Sequence, residues 1–346
     1  MSGLQGTHKQ RQHGAWRAQG FTLIELMVAM LLGLIVVGGV ISVFVASQQT
    51  YRANEALGDV EDGSRTAFEM LARDLRYAGT TGCDNTNGRI ANVVNDNTTL
   101  WYANWSVPLL GYDDASKDPV LSALTSTYGT PVAGSSSVRV LGTVNADVSV
   151  GSASDSPTSF NINAASTQLA AGDIVMLCDF DHATILQIGS YSSGGTSVGY
   201  TASDSPSPGN CSAGLGYPTI CTSSGNAYTF LPNARVALTT AVVWYIGNNP
   251  VGGKSLYRLP VTYSSTGASA TTPQEMVRNV NSMQINYLQS AGTAFTNAAG
   301  VGDWAAVNAA QVTLTLQSTN QKANVSNSGP LTRTFTSTTT MRNRVQ

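Results

Sequence analysis

Residues 21–46 read FTLIELMVAMLLGLIVVGGVISVFVA, 26 residues in which Glu25 is the only ionisable side chain. At about 1.5 Å per residue a helix of this length reaches about 39 Å, enough to cross a hydrocarbon core of about 30 Å with some tilt. The run therefore predicts one membrane-spanning helix. Residues 1–20 before it carry Lys9, Arg11 and Arg17 and no acid, whereas Arg52 beyond it is mixed with Glu55, Asp59, Glu61 and Asp62. The positive-inside bias then places the N-terminus in the cytoplasm and the rest of the chain outside it. A secretory signal cut after its apolar run would use Val45-Ala46-Ser47, but the run is too long for a typical signal. It also continues, with no Pro before Pro108, into a helical pattern that such a cut would split. Cleavage before the run, between Gly20 and Phe21, leaves the helix whole.

The segment Gly20-Phe21-Thr22-Leu23-Ile24-Glu25-Leu26-Met27-Val28 resembles the class III leader junction of type IV prepilins and type II secretion pseudopilins. The resemblance implies that Gly20 precedes the scissile bond of prepilin peptidase. Phe21 becomes the N-methylated first residue of the mature protein, and Glu25 is its acidic assembly residue. It implies an inner-membrane, single-pass protein whose globular domain lies in the periplasm and later in a pilus fibre at the cell surface. Glu25 has a physical reading of its own. An ionised carboxylate costs about 2.5 to 3.5 kcal/mol at the bilayer centre and less near an end, so it needs a cation. The Phe21 α-amine, on a neighbouring subunit or its own, is one source. The helix macrodipole together with snorkelling to the headgroups is the other account.

Beyond the membrane run, Leu57, Val60, Phe68, Leu71, Leu75 and Ala78 recur at helical spacing, and Gly79 and Gly82 stop the pattern. Glu61, Arg65, Glu69 and Arg73, each four residues from the last with alternating sign, form either a solvated ladder or a subunit-docking strip. Downstream the language is β: candidate strands cover 137–144, 173–180, 183–191, 236–247, 255–263, 283–289, 310–318 and 331–342. No helices of crossover length alternate with them, so an antiparallel sheet packed on the helix is expected and the fold class is α+β. The expected organisation is a cleaved leader over 1–20, a transmembrane half-helix over 21–46, its periplasmic half over 47–79, and a β-rich domain over 80–346. Long loops are expected at 82–124, 145–171 and 192–232. With 18 basic and 20 acidic residues and no Lys/Arg block, the chain offers nucleic acid no electrostatic footprint.

A second resemblance runs through this region. The blocks GDIVMLCD from Gly172, SLYR from Ser255, MVRNV from Met276 and MQINY from Met283, then Phe335 and Arg342-Asn343-Arg344, are similar to those of PilW-type minor pilins. Residues 337–340 depart from it, being less apolar than such a strand should be. The resemblance implies a non-enzymatic subunit of an initiating or tip complex, needed for twitching, adhesion or DNA uptake. Its implied partners are other minor pilins, the major pilin, the inner-membrane assembly platform and membrane lipid, and it implies no cofactor. A J-like type II secretion pseudopilin and a surface adhesin with ligand-binding loops are the rival readings.

All four cysteines, Cys83, Cys178, Cys211 and Cys221, fall on the oxidising side of the membrane. Cys211 and Cys221 flank a Gly/Pro-rich loop and are expected to pair, leaving Cys83 with Cys178. Their spacing does not suit a zinc site. By comparison with major pilins, whose disulfide loop lies close to the C-terminus, the 125 residues after Cys221 disfavour a major subunit. Gly195-Thr196-Ser197-Val198-Gly199 matches the nucleophile-elbow pattern, yet Pro206 and Pro208 follow instead of a helix, and His182 precedes the serine. GNNPVGGKS from Gly247 has one residue too many for a phosphate loop. The acidic groups Asp84 to Gly88 and Asp113, Asp114 and Asp118 read as solvated loops or a hard-cation site. Trp101, Tyr102 and Trp105 read as a core-anchored loop or a contact surface.

Overall fold

The computed structural model describes residues 20–81, 89–152, 158–290, 292–324 and 329–341. Helix α1 spans Leu23–Arg76. Residues up to Asn54 form one compact unit and those from Glu55 another. In the first unit every described residue except Arg52 and Ala53 is exposed, and the helix there is long and apolar enough to cross a membrane.

In the second unit α1 buries one stripe, Ala56, Val60, Ser64, Ala67, Leu71, Ala72 and Leu75, at the period of 3.6 that puts them on one face. Of the expected charge ladder one rung forms, Arg65 Nε to Glu69 Oε1 at 3.1 Å, with both side chains largely exposed. Exposed pairs of this kind contribute only about 0.2 to 1 kcal/mol. Past Arg76 the chain turns through Gly79, whose φ of 72° lies in the left-handed region that glycine enters at no cost. Its N–H donates to Leu141 O at 2.8 Å. Beside it Gly142 must be glycine, because a Cβ there would lie 2.7 Å from the Tyr77 carbonyl oxygen.

The strands begin with β1 (Ile90–Asn92), β2 (Leu109–Tyr112), β3 (Ser137–Ser152) and β4 (Ser159–Ile162). They continue with β5 (Ile174–Cys178), β6 (Ala183–Gln187), β7 (Ser190–Tyr191) and β8 (Ser197–Gly199). Next come β9 (Arg235–Asn248), β10 (Lys254–Pro260), β11 (Thr262–Ser264) and β12 (Gly267–Ser269). The last are β13 (Gln274–Arg278), β14 (Val280–Gln289), β15 (Val307–Gln317) and β16 (Thr332–Thr340). A short helix, α2, covers Pro119–Ser122. The large sheet runs β1-β6-β5-β9-β3-β4-β8-β7, with β10 beside β9, β13 beside β10 and β2 beside β3. A separate three-stranded sheet runs β14-β15-β16. The α+β class expected from the sequence is the class observed.

Three details differ from the expectation. Strands are split between two main sheets, and β1 pairs with β6 in parallel, as an added edge on an otherwise antiparallel array. The predicted loop over 145–171 is partly strand. Asn145-Ala146-Asp147 reads as a turn, but Asp147 takes φ 56° and β3 passes through a bulge there, resuming with buried Val148 and Val150. Short strands β2 and β8 likewise lie inside segments read as loops, too short to show a period of two.

Two cores result. One joins the α1 stripe (Val60, Ala67, Leu71, Leu75) to Val242 and Trp244 of β9, Met283 and Ile285 of β14, and Leu314 and Leu316 of β15. The other lies on the large sheet, around Val148, Val150, Phe160, Ile162, Val175, Leu177, Leu186 and Val198. Trp101, Tyr102 and Trp105 pack against the large sheet as a core-anchored loop.

Candidate processing and assembly site

Gly20 and Phe21 precede α1 in non-helical backbone, and both are exposed. A Cβ on Gly20 would meet nothing within 4 Å, so the chain itself does not demand glycine there. Thr22 is the residue that starts the helix: its carbonyl accepts the first intrahelical bond, from Leu26 N at 3.2 Å. Thr22 and Glu25 cap that end reciprocally. Thr22 N donates to Glu25 Oε2 at 3.1 Å, and Glu25 N donates to Thr22 Oγ1 at 3.4 Å. The Thr22 hydroxyl also donates to Oε2 at 2.8 Å. This is a capping box, which satisfies two of the donors that a helix end otherwise leaves without partners. The signal for it, Thr22 followed by an acid three residues later, stands in the sequence and is missed when Glu25 is considered only as a charge.

The box divides the work of the carboxylate. Oε2 holds the helix start, while Oε1 accepts no hydrogen bond from the described residues. Glu25 thus lies where the macrodipole favours an anion.

The remaining candidates resolve into structural roles. Cys211 and Cys221 form a disulfide with Cα atoms 4.8 Å apart. Cys178 is buried on β5, while its expected partner Cys83 lies outside the described residues, as do Asp84 to Gly88. Asp113 accepts from Ala298 N at 2.8 Å and Ala299 N at 3.0 Å. Asp114 accepts from Ser116 N and Oγ, and these bonds hold its carboxyl below the usual carboxylate range. Asp118 is fully buried and pairs with Arg139, so the three carboxylates are each engaged with protein donors. Ser197 sits on β8 and not at a strand-to-helix elbow. His182 is buried, its Nε2 2.7 Å from Leu215 O, with its ring stacked on Tyr228 at 4.2 Å. Burial, then the bond donated to Asp179, pushes the Tyr228 phenol well up. Lys254 of the phosphate-loop near miss opens β10, after a hairpin turn bracketed by Asn249.

Sequence reasoning also missed Asp74. Its Oδ2 accepts from Trp244 Nε1 at 2.9 Å and Arg258 Nε at 3.0 Å, tying the last turns of α1 to β9 and β10. No local pattern announces it, because its partners lie 170 and 184 residues away.

Two family models match the chain. The prokaryotic N-terminal methylation motif covers residues 17–41, which contain the junction and its capping box. The type IV pilus-assembly protein W model covers residues 243–345, from the end of β9 through the three-stranded sheet. No curated protein and no solved structure matches. The methylation motif implies processing by prepilin peptidase and assembly with other pilins, in a protein anchored by its apolar helix. With the methylation motif at its start and a PilW-type region over its last third, the chain is similar to type IV pilus minor pilins of the PilW type.

Proposed function

We propose that the protein is a non-enzymatic minor pilin of the initiating or tip complex, cleaved after Gly20, N-methylated at Phe21 and inserted with its β domain in the periplasm before joining a fibre. The expected division at residues 20, 46 and 79 belongs to this reading. The observation that carries it is Oε1 of Glu25, which accepts no hydrogen bond from the described residues and lies one helical turn from the amine that cleavage at Gly20 would create. A subunit leaving lipid exchanges burial among acyl chains for burial among neighbouring helices, so the apolar run over 21–46 needs no covalent step to move. The carboxylate then supplies the one strong directional contact in that bundle. The match to the PilW-type region favours this role over that of a J-like pseudopilin.

The test uses two variants. Glu25→Gln keeps volume and much of the capping geometry but loses the charge; Glu25→Ala loses both. Each is expected to be inserted and cleaved, yet to fail to co-purify with the other pilins, because an unmatched amine in an apolar bundle is costly. A defect in Ala alone would assign Glu25 to helix capping, and normal piliation with both variants would overturn the assembly role.

A further inference from the structure

We propose that β16 is an acceptor edge, extended in the assembled state by a strand from a different protein that carries a carboxylate opposite Arg333. The two edges of the three-stranded sheet are treated differently. At β14 the edge is covered: Ser136 N donates to Met283 O at 2.7 Å, and Ser135 Oγ accepts from Met283 N at 2.9 Å. Ser136 Oγ accepts from Ile285 N at 3.2 Å, and Tyr287 and Thr296 exchange backbone bonds further along. At β16 nothing among the described residues lies on the outer side.

The register fixes which groups are open. Ser318 N donates to Leu331 O, and Met341 N donates to Asn308 O. Odd-numbered residues of β16 therefore turn their backbone groups toward β15, and the even-numbered ones turn theirs outward. Those are Thr332, Thr334, Thr336, Thr338 and Thr340. A straight nine-residue edge with no Pro, no bulge and a single charge lacks the devices by which exposed edges discourage pairing.

The side chains state what the added strand must look like. On the solvent face Thr313 and Thr336 bond at 3.0 Å and Thr315 and Thr334 at 3.2 Å, a hydroxyl ladder that a further strand of small uncharged residues would continue. On the opposite face Phe335 is only half-buried against the α1 core, so an apolar neighbour would close it. Arg333 is exposed and pairs with no carboxylate among the described residues, its Nη1 donating only to the Thr332 carbonyl. A second copy of β16 does not meet that requirement. Odd positions 333 to 339 are Arg, Phe, Ser and Thr, so no antiparallel register of β16 on itself brings an acid to Arg333.

The test uses the full-length chain in detergent and a labelled synthetic peptide, TVTVTVTET, whose antiparallel register sets its Glu opposite Arg333. Saturable binding by fluorescence anisotropy is expected. Thr336→Pro should weaken it about tenfold while leaving the β15 ladder intact, because the lost N–H points outward. Arg333→Glu should weaken it too, with recovery on the peptide TVTVTVTKT; this arm decides the matter should Thr336→Pro fail to fold. Glu25→Ala should bind like the native chain, which separates this edge from the membrane-helix role. Unchanged binding in Thr336→Pro, no charge-swap recovery, or a dimer by sedimentation that Thr336→Pro abolishes would each overturn the proposal.

Discussion

Asp118→Ala should destabilise the β domain by about 3 to 5 kcal/mol, the range for removing one partner of a buried ion pair. Asp118 is fully buried and Arg139 nearly so. The carboxylate accepts from Arg139 through Nε, at 3.1 Å, and Nη2, from Ser137 Oγ at 3.1 Å, and from Val120 N at 2.9 Å, where it caps α2. The guanidinium carbon lies 5.0 Å from the ring centre of Tyr112 and 5.7 Å from that of Trp101. Without Asp118 that cation keeps its aromatic neighbours and loses its counter-ion, so its burial is no longer compensated. Urea unfolding followed by tryptophan fluorescence should show the loss. Asp118→Ala combined with Arg139→Met should recover much of it, since the stranded charge is the cause. A double variant as unstable as the single one would assign the loss to packing or to the α2 cap. Asp113→Ala, which removes a half-buried acceptor from the Ala298 and Ala299 amides, should cost about 1 kcal/mol.

Gly20→Val should abolish maturation and leave an inserted precursor about 2 kDa heavier than the processed protein. The chain offers no obstacle to the substitution: a Cβ at Gly20 has open space around it, and the backbone there is not in the left-handed region. Any block must therefore arise in the peptidase, where a branched side chain would crowd the bond being cut. Intact-mass measurement of the membrane fraction decides it. A variant still beginning at Phe21 would remove the cleavage assignment, as would a native protein beginning near Ser47.

The long-period features of this chain are the legible ones. An apolar run of 26 residues and a stripe from Val60 to Leu75 at helical spacing leave little choice but α1. Long strands such as β9, with its continuous apolar run, and β15, which alternates, can be found within a few residues. Short or interrupted strands are not: β3 hides its second half behind Asn145-Ala146-Asp147, where a bulge imitates a turn. At the candidate site, Gly20, Phe21 and Glu25 stand in one short window, which the methylation motif covers. The box formed by Thr22 was equally local, and needed only the question of what satisfies the first amides of α1. The contacts of Asp74 and Asp118 are set by sheet registers that bring distant residues together, and no window along the chain contains them.

The close seat of the helix end on the large sheet has a mechanical consequence. Gly79 N bonds Leu141 O, Thr143 Oγ1 donates to the Thr80 carbonyl at 3.0 Å, and Asp74 grips Trp244 and Arg258. An axial pull on the last turns of α1 is thus delivered to β3 and β9, the two longest strands, which pair along most of their length. Load entering there is shared by many ladder bonds at once instead of being peeled off one at a time. The three-stranded sheet, whose Leu314 and Leu316 share one buried apolar cluster with Leu71 and Leu75 of α1, lies outside that line of tension and keeps its outer strand unloaded.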